Sequence, residues 1–135
     1  MTGKIAVTPC SGIGKSLGSV AREAAFIISQ DLFPEKTKII ALSLLVQGDA
    51  DTRRELSGAP AIAIDGCKRE CAAKGLAAAG AVQVLKAPVF DIMRRHRGLK
   101  PEGIIELNDD GQRLAEEVAQ AAADIIRQLE DEAHA

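Results

Sequence analysis

Three cysteines, Cys10, Cys67 and Cys71, carry most of the chemistry this chain can offer. The last two stand in the segment Ala61-Ile62-Ala63-Ile64-Asp65-Gly66-Cys67-Lys68-Arg69-Glu70-Cys71-Ala72. An apolar, partly β-branched run stops at Asp-Gly and a good helix former follows, so the segment reads as strand, tight turn and helix start. A helix beginning at Cys67 puts Cys67 and Cys71 one turn apart on one face. A helix N-terminus also favours thiolate over thiol, and thiolate is the form that binds metal or attacks an electrophile. Cys10 closes an earlier apolar run and precedes the Gly12–Gly14 turn and a second helical stretch.

The elements that must position these side chains follow from periodicity. Strands are predicted over 4–8, 37–46, 61–64 and 81–86, and 103–107 is a short fifth strand or an extended connection. Helices are predicted over 16–30, 68–79, 90–97 and about 110–132, with a short polar helix in 48–56 and a frayed tail over 130–135. Gly80 is the expected C-cap of the 68–79 helix. Strands alternating with helices imply right-handed crossovers. The expected fold is therefore one α/β domain over residues 1–135. It has three layers: a mainly parallel sheet of four to five strands with helices on both faces, flavodoxin- or Rossmann-like. In the flavodoxin order, ligands bind beyond the carboxyl ends of strands 1 and 3, where strand order reverses. Cys10 and Cys67 both fall at that edge, with Cys71 close behind.

Thiolates converging from distant sequence suit zinc first, with iron also open, and they disfavour magnesium and calcium. Asp65 is a candidate fourth ligand, or a partner that fixes the turn. Cys10, Cys67, Cys71 and Asp65 are thus the candidate metal ligands. The alternative is a thiol-dependent enzyme or redox protein that uses Cys67 or Cys10 as a nucleophile without stable metal.

Composition narrows the field. A net charge of −2 gives no basic stripe for nucleic acid, and with no Trp or Tyr and 3 Phe there is little to stack on bases. No apolar run is long enough to span a bilayer, and the N-terminal residues lack the pattern of a secretory signal. A cytoplasmic location is expected, where thiols stay reduced and cysteines point to metal or reactive chemistry. Arg94-Arg95-His96-Arg97, with Lys100 nearby, reads as a solvated face. The apolar face of the last helix could support a homodimer.

Asp65-Gly66-Cys67-Lys68-Arg69-Glu70-Cys71-Ala72-Ala73-Lys74, with Cys10-Ser11-Gly12 at the end of the first strand, resembles the DGC-domain family of zinc-binding proteins. The resemblance covers about residues 4–85, and its specific part is the Asp-Gly-Cys-x-x-x-Cys-Ala segment. It implies metal binding by Cys10, Cys67 and Cys71 and no particular reaction. The family also places a cysteine five residues before a central glycine. Here Ser43 holds that position before Gly48, which leaves a fourth position open, or filled by Asp65 or water.

The first loop, Pro9-Cys10-Ser11-Gly12-Ile13-Gly14-Lys15-Ser16, has two other likenesses. Gly14-Lys15-Ser16 matches the end of a phosphate-binding loop, but Pro9 replaces its first glycine and removes an N–H. A cysteine phosphatase or arsenate reductase also has a cysteine after its first strand, but needs an arginine six residues later. Ser16 stands there, and Lys15 lacks the guanidinium fork. The Gly12–Gly14 turn and the helix that follows could still hold a small anion.

Overall fold

The computed structural model describes residues 3–10 and 15–133. Its elements run β1 (Ile5–Pro9), α1 (Ser16–Phe26) continuing as a π-helical segment Ile27–Leu32, β2 (Thr37–Ile39), α2 (Leu42–Gln47), α3 (Ala50–Ser57), β3 (Ala61–Ile64), α4 (Cys71–Ala78), β4 (Val84–Lys86), α5 (Val89–Arg95) and α6 (Asp109–Ala133). The four strands form one parallel sheet in the order β2-β1-β3-β4. The three-layer α/β fold expected from the sequence is therefore the fold observed. The point where strand order reverses lies between β1 and β3.

Alternation along the two central strands separates the layers. Ile5 and Val7 of β1, and Ile62 and Ile64 of β3, face a core built with Val20 and Ala24 of α1, Val89 and Ile92 of α5, and Leu114, Val118, Ala122 and Ile126 of α6. Ala6, Ala61 and Ala63 point the other way, where Leu45 of α2, Leu56 of α3, and Ala72 and Leu76 of α4 cover them. Branched residues thus fill the deep side, and alanines let the second helix layer approach closely. The apolar face of α6 is consumed by this core, so it is not the free face that a homodimer through this helix would need. Among the described residues, no helix is long and apolar enough to cross a membrane.

The second strand departs from expectation. It stops at Ile39, and Leu42–Gln47 is helical. Ile40 still donates its N–H to Val7 (3.1 Å), and its carbonyl accepts from the Thr8 hydroxyl (2.9 Å), after which the chain turns away. A short apolar run cannot be assigned to strand or helix by periodicity alone. Tertiary packing decides here: Leu42 and Leu45, three apart on one helical face, seat against Gly75 of α4. Gly48, with φ 72°, ends this helix in the left-handed region, and Asp49 caps α3 through the Thr52 N–H (3.0 Å).

The segment 103–107 is a loop. Asn108 donates its N–H to Glu102 (2.9 Å), and its side-chain oxygen accepts from the Glu102 N–H (3.0 Å). Gly103 turns the chain at φ 102°. At the C-terminus, helix runs on to Ala133, past the expected frayed start at 130. Gly80 closes α4 as expected, with φ 90° and the Ala81 N–H returning to Leu76 (3.0 Å).

Candidate metal centre

Cys10 follows β1, donates its N–H to the Ile64 carbonyl (2.9 Å) and is 7% exposed. Its Sγ accepts the N–H of Gly66 (3.2 Å), so the thiol is pinned to the turn that follows β3. Burial pushes this thiol above its ordinary pKa. The Gly66 N–H and Arg22 oppose that push, while Asp65 and Cys67 add to it.

Gly66 is where the two strand ends touch helix α1. A Cβ built at this position would lie 2.9 Å from the Leu17 carbonyl oxygen, so only glycine allows the turn to pass the backbone this closely.

Asp65 is 5% exposed. Its Oδ1 accepts the N–H of Ala72 (2.8 Å) and its Oδ2 accepts the N–H of Ala73 (3.1 Å). Two otherwise orphaned donors of the first turn of α4 are thereby satisfied by a buried carboxylate at the positive end of the helix. Of the two roles open to Asp65 in the sequence, the turn-fixing one is visible here. Its backbone carbonyl also accepts the N–H of Val89 (2.9 Å), which ties the start of α5 to the same joint.

Because Asp65 reaches forward to Ala72 and Ala73, α4 begins at Cys71 and not at Cys67 or Lys68. Cys67 to Glu70 form a tight turn closed by the Glu70 N–H on the Cys67 carbonyl (3.3 Å). Cys67 and Cys71 are therefore not neighbours on one helical face, which corrects the spacing argument. The first-turn N–H groups expected to favour a Cys67 thiolate serve Asp65 instead. Glu70 takes up the left-handed conformation (φ 54°, ψ 45°), uncommon for a residue with a Cβ, and its carboxylate pairs with Lys86 at 2.7 Å.

Cys10 and Cys67 line one cavity of about 340 Å³, at the carboxyl ends of β1 and β3, together with Lys15, Leu17, Lys68 and Phe90. The convergence expected of these two cysteines is thus observed. All three cysteines are free, and Cys67 and Cys71 are exposed. Cys71 and Ser43 do not line this cavity; Ser43 is an exposed residue of the first turn of α2. Among the described residues, no three His, Cys, Asp or Glu side chains form a group that could hold a metal ion. The Gly12–Gly14 turn, expected to suit an anion, lies outside the described residues. The cavity adds Lys15, Leu17, Lys68 and Phe90, which sequence reasoning did not select. Lys68, adjacent to Cys67, and Lys15, in the loop with a phosphate-loop likeness, carried a signal of their place; Leu17 and Phe90 carried none.

A family model for the DGC domain matches residues 6–118. The chain belongs to the DGC domain family. No curated protein and no solved structure matches it. The match spans every element from β1 into the first half of α6, so this DGC domain includes both cysteine-bearing strand ends and the helices that seat them.

Proposed function

We propose that this DGC domain is a cytoplasmic protein that binds a zinc ion through the thiolates of Cys10, Cys67 and Cys71, leaving one coordination position to a small-molecule donor. The observation that carries the reading is the meeting of Cys10 and Cys67, far apart in sequence, at one cavity where a parallel sheet changes direction. The donor set fits zinc, because thiolate is a soft ligand and zinc sites with three protein ligands keep a place for water or substrate. Cys71, one tight turn beyond Cys67 and outside the cavity wall, is the third donor, and the turn Cys67–Glu70 would have to bring it in when metal binds. Asp65 acts as a positioning residue: it holds α4, and with it Cys71, against the strand end. When bound, zinc would supply Lewis acidity to whatever occupies the open position.

Elemental analysis of protein purified anaerobically without a tag tests this. The expected result is about one zinc per chain, as for a single structural or catalytic site. Cys10→Ser and the Cys67→Ser/Cys71→Ser pair should each lose it. Zinc absent from the wild type would overturn the assignment.

One observation favours a second reading, a thiol enzyme. Cys67 is exposed and opens onto the cavity beside Lys68, whereas Cys10 is buried with its pKa held up. On that reading Cys67 is the nucleophile. A chelator would leave its alkylation rate unchanged, whereas on the zinc reading a chelator would accelerate it by freeing the ligand.

A further inference from the structure

The cavity shared by Cys10 and Cys67 has a charge pattern that the cysteines do not explain. Among the described residues, Lys15 and Lys68 line it and no carboxylate does. Of the six lysines outside the cavity, Lys36, Lys38 and Lys86 pair with Glu130, Glu55 and Glu70, whereas Lys4, Lys74 and Lys100 are in no ion pair among the described residues. Among the described residues, neither Lys15 nor Lys68 is in an ion pair; the Lys68 ammonium instead lies 5.3 Å from the centre of the Phe90 ring. Arg94 sits at the same distance from that ring and is itself paired with Asp91. Arg22 adds positive charge that reaches Cys10. The buried Asp65, the carboxylate acting on Cys10, has both its oxygens committed to α4. The walls are mostly apolar, and Leu17 and Phe90 are among the residues that form them. A cavity of about 340 Å³ suits a small molecule.

We propose that this cavity binds a small organic anion, an acid with an apolar body, whose charged group lies between Lys15 and Lys68 beside the Cys67 sulfur. Leu17 and Phe90 would cover the apolar part. The anion rests on the zinc reading in one respect: it is the small molecule that would face the open coordination position. Its recognition by the two lysines needs no metal, so it is tested on chelator-treated protein.

The test labels cysteines competitively with iodoacetate and neutral iodoacetamide and reads each site by mass spectrometry. The ratio of the two rates at one cysteine cancels its thiolate fraction and leaves the attraction for the anionic reagent. At Cys67 this ratio should fall on the order of tenfold in Lys15→Met/Lys68→Met, the low end of the effect of a focused cleft potential. It should also fall as salt is raised in the wild type. At Cys71, outside the cavity, the ratio should not move.

Phenyl phosphate should slow iodoacetamide labelling of Cys67 saturably, and more strongly than inorganic phosphate does; phenol should not. That protection should vanish in the double variant. Both lysines are exposed, so the variant should melt like the wild type. An unchanged ratio at Cys67, or phenyl phosphate that protects Cys71 as well as Cys67, would overturn the proposal. Zinc content of the same samples before chelation separates the two readings. Anion protection in a chain that carries no zinc sinks the metal assignment alone, and zinc without protection sinks the anion alone.

Discussion

The carboxylate of Asp65 gives the sharpest quantitative test of the joint that carries the cysteines. Asp65→Asn keeps the side-chain shape and the acceptor for Ala72, now 2.8 Å from Oδ1. It replaces the acceptor for Ala73, at 3.1 Å, with an amide group that can only donate. One charge-assisted hydrogen bond is lost, worth about 1.5–3 kcal/mol, and a buried N–H is left unpaired. Removing negative charge from a helix N-terminus costs a further ~0.3–1 kcal/mol, more where the site is buried. The expected destabilisation is therefore about 2–4 kcal/mol. For a chain of this size that is a fall in Tm of roughly 6–16 °C. Urea denaturation followed by far-UV circular dichroism, with thermal melts alongside, measures it. Zinc per folded chain should be close to that of the wild type at temperatures where the variant is folded, since Asp65 positions α4 and does not hold the metal. A loss below about 0.5 kcal/mol, the range of ordinary surface substitutions, would refute the capping role. Zinc lost from a variant of undiminished stability would make Asp65 a ligand.

Gly66→Ala should destabilise by about 1–3 kcal/mol in the same assay, because its Cβ would meet the Leu17 carbonyl oxygen at 2.9 Å. Glu70→Gly should melt above Glu70→Ala: both lose the Lys86 pair, and only glycine accepts φ 54° without strain. In metal-free protein near neutral pH, Cys10 should be alkylated far more slowly than Cys67, as time-resolved mass spectrometry would read. Burial holds the Cys10 thiol above its ordinary value, so its contribution to stability is full below the unfolded-state value and is lost as pH rises through the raised folded one. Stability should therefore fall at alkaline pH, and a Cys10→Val variant should flatten that fall. Chelation should lower Tm without abolishing the cooperative melt, because both faces of the sheet already bury apolar cores.

Much of the layout was legible in the residues. The apolar runs over 4–8 and 61–64 marked strands, and the alternation of strands with helices, taken in the flavodoxin order, sent Cys10 and Cys67 to one edge. Gly80 and the period of α6 marked helix ends and a core face. Three features were not legible, each for a physical reason. The run from Leu42 to Val46 satisfies strand and helix templates alike, and the choice was made by Gly75, whose missing side chain admits Leu42 and Leu45. The start of α4 was set by a carboxylate reaching seven residues forward (from 65 to 72), a contact that no local pattern marks. The lining of the cavity comes from Lys15 just before α1, Leu17 on α1 and Phe90 on α5 as well as from the cysteine segment, so only the assembled sheet brings it together.

The Asp65-Gly66-Cys67 step has a structural purpose at each residue. Asp65 caps α4 and receives the first residue of α5 on its carbonyl. Gly66 lets the turn pass α1 and donates to the Cys10 sulfur. Cys67 is the first side chain beyond that contact with room to face the cavity. Two of the three residues therefore build the joint, and one is presented by it. Cys10 meets this thiol at the same cavity from another strand, and Lys15 and Lys68, in no ion pair among the described residues, line that cavity too. On the function proposed above, Cys67 is the residue the construction presents, with Asp65 and Gly66 as its support. That is why substitutions at Asp65 and Gly66 should be read first as stability changes, and substitutions at Cys67, Lys15 and Lys68 first as changes in what the cavity binds.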